Sequence, residues 1–334
     1  MVRLVARYAV LALALLVLNF LLPRLLPGDP LDAAAPDGLG AAAPAPVELR
    51  AQLRAAYHLD EPLAGQFAAY VSGLARGDLG WSISRAAPVS GLVFERLPWT
   101  LALVLTATVL ASLIGGLLGV VAAWRGGRAG QAIVSVATGL AALPELLVAI
   151  GLLLPLAVGL RWFPLQGGRS PFAPPPMGPF GALGPIADIA WHLTLPIMSL
   201  VLATSAAFVL LARGAVRGVL AEPYLLTARA KGLPEARIAV GHAAPNALLP
   251  VLALFGVRLG QVLGGALVVE RVFAVPGLGL LTFEAIRSRD YPLLQAVFLL
   301  SSAGVLLANL VVDVVYLWLT PRPVAGDGAP PHAL

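Results

Sequence analysis

The chain has 334 residues, of which 59% are hydrophobic and 12% charged, and its formal net charge is +5. A soluble domain carries about 25% charged residues, so a water-coated globular surface is excluded and lipid becomes the solvent for the exposed faces. Cysteine is absent, which removes disulfides, thiolate nucleophiles and thiolate-held zinc or iron–sulfur centres together.

Taken in chain order, six apolar stretches are each about as long as the roughly 20 residues a helix needs to cross a bilayer: 4–26, 98–123, 131–158, 190–212, 246–270 and 293–319. In lipid every backbone N–H must be satisfied within its own segment, so these stretches are predicted to be helices. Pro144, Pro155, Pro196 and Pro250 lie within or near their ends and predict local kinks. The first stretch also resembles a secretory signal, with Arg3 and Arg7 before it and Ala33-Ala34-Ala35 after it. It runs long for a signal, however, and ends in Pro27-Gly28-Asp29-Pro30. Between the first two spans lies an external segment, 27–97, Ala/Pro-rich at 33–46 and amphipathic from Val47 to Tyr70. Residues 161–189 are rich in Gly and Pro and read as an irregular external loop. A long cytoplasmic loop, 213–245, a short external one, 271–292, and a short tail, 320–334, complete the chain. The expected fold class is an all-α membrane protein: six transmembrane helices, an external segment after the first, and a five-helix core over 98–319.

Arginine placement orients the spans. With the N-terminus inside, one face receives Arg3, Arg7, Arg125, Arg128, Arg213, Arg217, Arg229, Lys231, Arg237 and Arg322, against only Glu222, Glu235 and Asp327. The opposite face carries eleven arginines and twelve carboxylates. That asymmetry puts both termini in the cytoplasm of a multi-pass membrane protein. The basic residues therefore report topology, and no nucleic-acid partner is implied, because none of them gathers into a binding surface.

Energy-transducing chemistry is missing. A P-loop needs its lysine followed by Ser or Thr, to reach the phosphates and the magnesium. The sole lysine, Lys231, is followed by Gly232. There is no H-E-x-x-H, no G-x-S-x-G and no close histidine pair, so neither metal nor catalytic residues are indicated. Any ATP and magnesium belong to a partner.

The stretch from Glu222 to Gly232 and Pro234, running on to His242, Pro245 and Asn246, reads as helix, break, helix. Pro223 suits a first helical turn, Gly232 the left-handed position that ends a helix, and Pro234 the next first turn. Tyr224, Ala228 and Gly232 recur at i, i+4 and i+8, a narrow face able to enter a partner's groove. Spacing alone leaves open a solvated basic loop. The run Thr227-Ala228-Arg-Ala-Lys-Gly232-Leu, with Pro245 and the following Asn-Ala-Leu-Leu-Pro, resembles the coupling-loop signature of binding-protein-dependent ABC importer permeases, in particular the dipeptide/oligopeptide (also nickel) branch. Further motifs extend that likeness along the chain. They are Leu26-Pro-Gly-Asp-Pro30, Gly77-Asp-Leu-Gly80 with Ser82, Glu95-Arg-Leu-Pro98 with Thr100, and Glu270 with Phe273 and Pro276-Gly-Leu-Gly279. Arg289-Asp-Tyr-Pro292 and Asn309 with Asp313, Tyr316 and Pro321-Arg322 continue it to the end. His58, Gln131, Glu145 and Arg258 depart from the pattern.

The resemblance implies a transport subunit and no enzyme. It would pair with a second permease as a heterodimer and take energy from two cytoplasmic ATPases. An extracytoplasmic solute-binding protein would supply di- or oligopeptides. The same architecture could import nickel chelates, glutathione or another small solute. An ion-coupled secondary carrier, a different class, would show inverted repeats and broken helices, which are not evident in the sequence. Glu222, Tyr224, Thr227, Ala228, Gly232, His242 and Pro245 are the expected coupling residues. Glu145 and Arg258 fall mid-span, where each costs about 2.5–3.5 kcal/mol on insertion scales, so neither is expected to face lipid. They are candidates for the translocation path, or for a structural ion pair. Gly256, Gly260 and Gly264 form a ridge that lets helices approach closely, and Asn309 and Asp313 share a face suited to anchoring a neighbouring helix.

Overall fold

The computed structural model describes residues 2–25, 51, 54, 60–171, 183–262 and 266–319. The end of the first predicted span, the Ala/Pro-rich stretch 33–46, Gly264 and the tail 320–334 lie outside the described residues. What is described is almost entirely helical.

Helix α1 (Val2–Leu25) packs on the last helix and presents an apolar outer face, with Asn19 and Phe20 the buried ones among its described side chains. Outside the bundle stand α2 (Leu63–Ala75) and a small antiparallel hairpin, β1 (Trp81–Ser82) with β2 (Ala87–Pro88). Helix α3 (Val89–Thr100) passes through a π-helical turn, Leu101–Leu105, into α4 (Thr106–Arg125). Pro98 has no N–H to bond back to Phe94, and the helix relaxes to the wider repeat one turn later. The helix closes at Gly126 and Gly127, both at positive φ, where an L side chain would be strained.

From that turn, α5 (Gly127–Ala141) leads into α6 (Glu145–Leu153), prolonged by a π-helical turn at Leu154–Gly159. The two are bent by 99°. This corrects the expectation of one kinked span over 131–158. Pro144 is extended (ψ 140°) and acts as the N-cap of α6, so it ends one helix and starts another instead of kinking one. Glu145 accordingly sits in a first helical turn, not at mid-helix.

Helix α7 (Leu183–Leu220) is the 38-residue centre, touching α4, α5, α6 and α10. At about 1.5 Å per residue it outruns a hydrocarbon core of about 30 Å. It continues two turns past the predicted end because Arg213 and Arg217 are good helix formers that favour a helix C-terminus. Helices α8 (Pro223–Ala230) and α9 (Glu235–Ile238) and a π-helical turn, Ala239–Ala243, lead into α10 (Ala244–Gln261). α11 (Leu267–Val272), α12 (Leu278–Ser288) and α13 (Tyr291–Leu319) finish the chain. The predicted span 246–270 is therefore two elements. Ala266 leaves helical geometry (φ −107°, ψ 69°), which sets α11 apart from α10.

By length and composition three helical runs can cross a membrane: Val89–Arg125, Gly184–Leu220 and Tyr291–Val314. The bent pair α5–α6 passes the same test only when it is counted as one span, and Ala6–Leu22 and Asn246–Gln261 are apolar but shorter. Close helix packing rests on small residues. A Cβ on Gly115 would lie 2.7 Å from Phe208 Cβ, and one on Gly119 2.6 Å from Ala212 Cβ, both on α7. Gly256 and Gly260 lie directly against Val312 and against Val305 and Ala308 of α13. Near the C-terminal end of α13, Asp313 accepts a 2.9 Å hydrogen bond from the Tyr8 hydroxyl of α1, with Asn309 half-buried one turn away.

Candidate functional site

Three places on this scaffold carry more polar chemistry than packing requires. The first is the unit formed by α8, α9 and the start of α10. Pro223 opens α8, and the helix ends where Gly232 (φ +75°) takes the left-handed conformation and its N–H bonds the Arg229 carbonyl at 2.9 Å. Leu225, Ala228, Ile238 and Ala243 are buried together against Val219, Leu220 and Leu233. Tyr224 fastens the two ends of the unit. Its hydroxyl donates to the His242 carbonyl at 3.2 Å and accepts from Asn246 Nδ2 at 2.9 Å. Arg229 and Glu235 form an exposed ion pair across the Gly232 break at 2.9 Å. Its contribution to stability is small, because both groups stay solvated.

The sequence placed Tyr224, Ala228 and Gly232 on one partner-facing stripe. The structure turns Ala228 inward, where its small side chain lets α8 sit close on α9 and the end of α7. The surface left for a partner is Glu222, Leu226, Thr227, Arg229 and Lys231, with Tyr224 at its margin. His242 is half-buried, and its Nδ1 has no hydrogen-bond partner. Pro245 stands in the first turn of α10.

The second place lies between α3 and α11–α13, and sequence reasoning named most of its residues without foreseeing that they meet. Glu270 of α11 is fully buried, and its carboxylate accepts from Thr100 Oγ1 at 2.8 Å and from the Leu280 N–H at 2.9 Å. Thr100 Oγ1 in turn accepts the Leu278 N–H at 2.7 Å. Gly277 and Gly279 pass so close that a Cβ on either would collide with the Glu270 carboxylate. That contact accounts for both glycines of the Pro-Gly-Leu-Gly run. A second buried carboxylate, Asp290, accepts from Ser82 Oγ (2.5 Å), Ser84 Oγ (2.7 Å) and the Ser84 N–H (3.0 Å). It also accepts from the Leu293 N–H at 3.3 Å, capping α13. Two carboxylates thus tie the β-hairpin, α3, α11, α12 and α13 into one block.

The third place holds Glu145 and Arg258. Both are partly exposed, and the charge of Arg258 is close enough to act on the Glu145 carboxyl. Among the described residues they make no ion pair within 4.0 Å, and Arg258 Nη1 donates to Gln261 Oε1 at 3.2 Å. No group of three or more His, Cys, Asp or Glu able to hold a metal is present among the described residues.

A bundle of apolar helices with a compact helical unit between α7 and α10 is the framework of a membrane-embedded subunit. The chain belongs to the family of binding-protein-dependent transport system inner membrane components, which it matches over residues 115–324. It is 34% identical over 321 residues to a probable peptide ABC transporter permease protein of Sinorhizobium fredii, covering 96% of this chain and 97% of that protein. It is 35% identical over 306 residues to a glutathione transport system permease protein of Escherichia coli, covering 91% and 92%. The protein is a permease subunit of an ABC importer, a component of the inner membrane.

Proposed function

We propose that this permease forms the path for di- or oligopeptides as one half of a heterodimer with a second, similar permease. Two cytoplasmic ATPases supply the energy and an external binding protein delivers the solute. Both termini are cytoplasmic. The bent pair α5–α6 and the two shorter apolar helices bring the crossings to six, with α1 before the external segment 27–97 and five in the core 98–319. The observation that carries the reading is the chain-long likeness to a protein named a peptide permease. The docking unit supplies the mechanics.

Closure of the ATPases on ATP presses on the exposed face of α8. Because Leu225 and Ala228 are packed on Ile238, Val219 and Leu220, and Tyr224 is bonded to His242 and Asn246, the push reaches the end of α7 and the start of α10 together. Residues 222–245 thus move as one body. What they transmit is the difference in docking energy between the two states, which is all that coupling requires.

The test is reconstitution of this chain with its second permease, ATPases and receptor in proteoliposomes. ATP-dependent uptake of a tripeptide supports the reading, whereas uphill accumulation by this chain without ATPases would defeat it. A second reading, glutathione import, is favoured by the name of the Escherichia coli relative. Glutathione uptake that a tenfold excess of tripeptide leaves unchanged selects it over the first.

A further inference from the structure

The open charge pair at the α5–α6 break is not used by the docking mechanism. Glu145 and Arg258 belong to helices that start on one side of the bundle. Trp124 at the end of α4, Val216 near the end of α7 and Ala244 at the start of α10 line one common cavity there. From that side α5 rises over its 15 residues before Glu145, about 22 Å. Arg258 stands 14 residues beyond Ala244, about 21 Å up α10. Measured along their helices from that cavity, two unrelated elements therefore bring opposite charges to about the same height.

Neither charge is hidden. Both side chains remain partly exposed on this chain, and around them Leu143, Leu146 and Leu147 are exposed as well. Lipid is excluded as their surroundings by the insertion cost of a charge. They also fail to close on each other, since no ion pair within 4.0 Å joins them, although each lies in the other's field. Two opposite charges at one height, unpaired and uncovered, match a ligand that carries both signs.

We propose that Glu145 and Arg258 form a zwitterion-reading station in the translocation path, Glu145 receiving a substrate ammonium and Arg258 a carboxylate. The inference rests on the importer reading and narrows its substrate class to solutes bearing both charges, such as peptides with free termini.

The experiment uses the full transporter with its receptor in proteoliposomes, and a free-termini tripeptide as the probe. Glu145→Gln and Arg258→Gln each lower tripeptide entry at saturating receptor at least tenfold, while receptor-stimulated ATP hydrolysis stays within twofold of wild type. The double Gln variant leaves no charge unpaired. It assembles normally, and entry through it stays low. Recovery of entry in the double variant means a structural pair and overturns the proposal, as does wild-type entry in both single variants.

If the Gln variants fail to assemble, the cysteine-free background gives a second measurement, because Gln261→Cys lies one turn from Arg258. A membrane-impermeant thiol reagent labels it, and tripeptide-loaded receptor slows the labelling at least threefold. No labelling in either resting or nucleotide-trapped complexes overturns the station. A wild-type complex that imports no tripeptide sinks the importer reading and this inference together. Active import with indifferent variants sinks the inference alone.

Discussion

The two ends of this bundle are built on different plans. At one end, two fully buried carboxylates, Glu270 and Asp290, each collect several hydrogen bonds from separate elements. At the other, the unit of α8 and α9 has a core of four small-to-medium apolar side chains, an exposed tyrosine bonded to two neighbours, and an exposed ion pair. Buried polar groups in a low-dielectric setting are costly to separate, whereas exposed ones exchange with water at little cost. One end is built to hold its shape. The other, on the proposed coupling, travels as a body.

The comparison breaks most readily at Glu270. Glu270→Ala leaves the Thr100 hydroxyl and the Leu280 N–H buried without an acceptor, at about 1–3 kcal/mol each. The expected result is a permease that unfolds in detergent at a clearly lower temperature and accumulates poorly in the membrane, with Glu270→Gln milder. Equal thermal profiles for all three proteins would remove the buried-carboxylate block from the account. Next in size is Gly232→Val. A β-branched side chain at φ +75° is disfavoured by about 1–2 kcal/mol. Most of that loss should appear as uncoupling, with ATP hydrolysis continuing and solute entry falling at least tenfold in the reconstituted system.

A smaller effect is expected from Tyr224→Phe, which deletes two exposed hydrogen bonds worth about 0.5–1.5 kcal/mol each at most. Receptor-stimulated hydrolysis should fall a few-fold with melting temperature nearly unchanged. Smallest is Arg229→Ala, within about 0.5 kcal/mol of wild type because both partners are solvated. Amide hydrogen exchange sharpens the contrast directly. Protection should be stronger through α12 than through α8 and α9, and equal protection would erase it.

The local parts of this architecture were legible in the sequence and the long-range parts were not. Gly232 and Pro223 act through their own backbone geometry, so the break between α8 and α9 could be read from residue type alone. Ala228 could not be oriented that way, because a small residue suits either a partner's groove or this chain's own core. Thr100 and Glu270 are 170 positions apart, and no periodicity connects them. Pro144 announced a disturbance, but only packing of α6 on α7 and α11 turns it into a 99° bend. Arg258 and Glu145 were recognisable as costly in lipid, since insertion cost depends on residue type and depth. Their common height emerged only once α5 and α10 had defined starts.

The contact between α1 and α13 has a consequence for how the protein is made. Helix α1 packs on α13, although Tyr8 and Asp313 stand 305 positions apart. The Tyr8 hydroxyl finds Asp313, and Asn19 donates to the Gln295 carbonyl, only after α13 has been synthesised. Until then α1 must wait in the bilayer with its neighbour still unborn, so assembly shuts a clasp between segments made far apart in time.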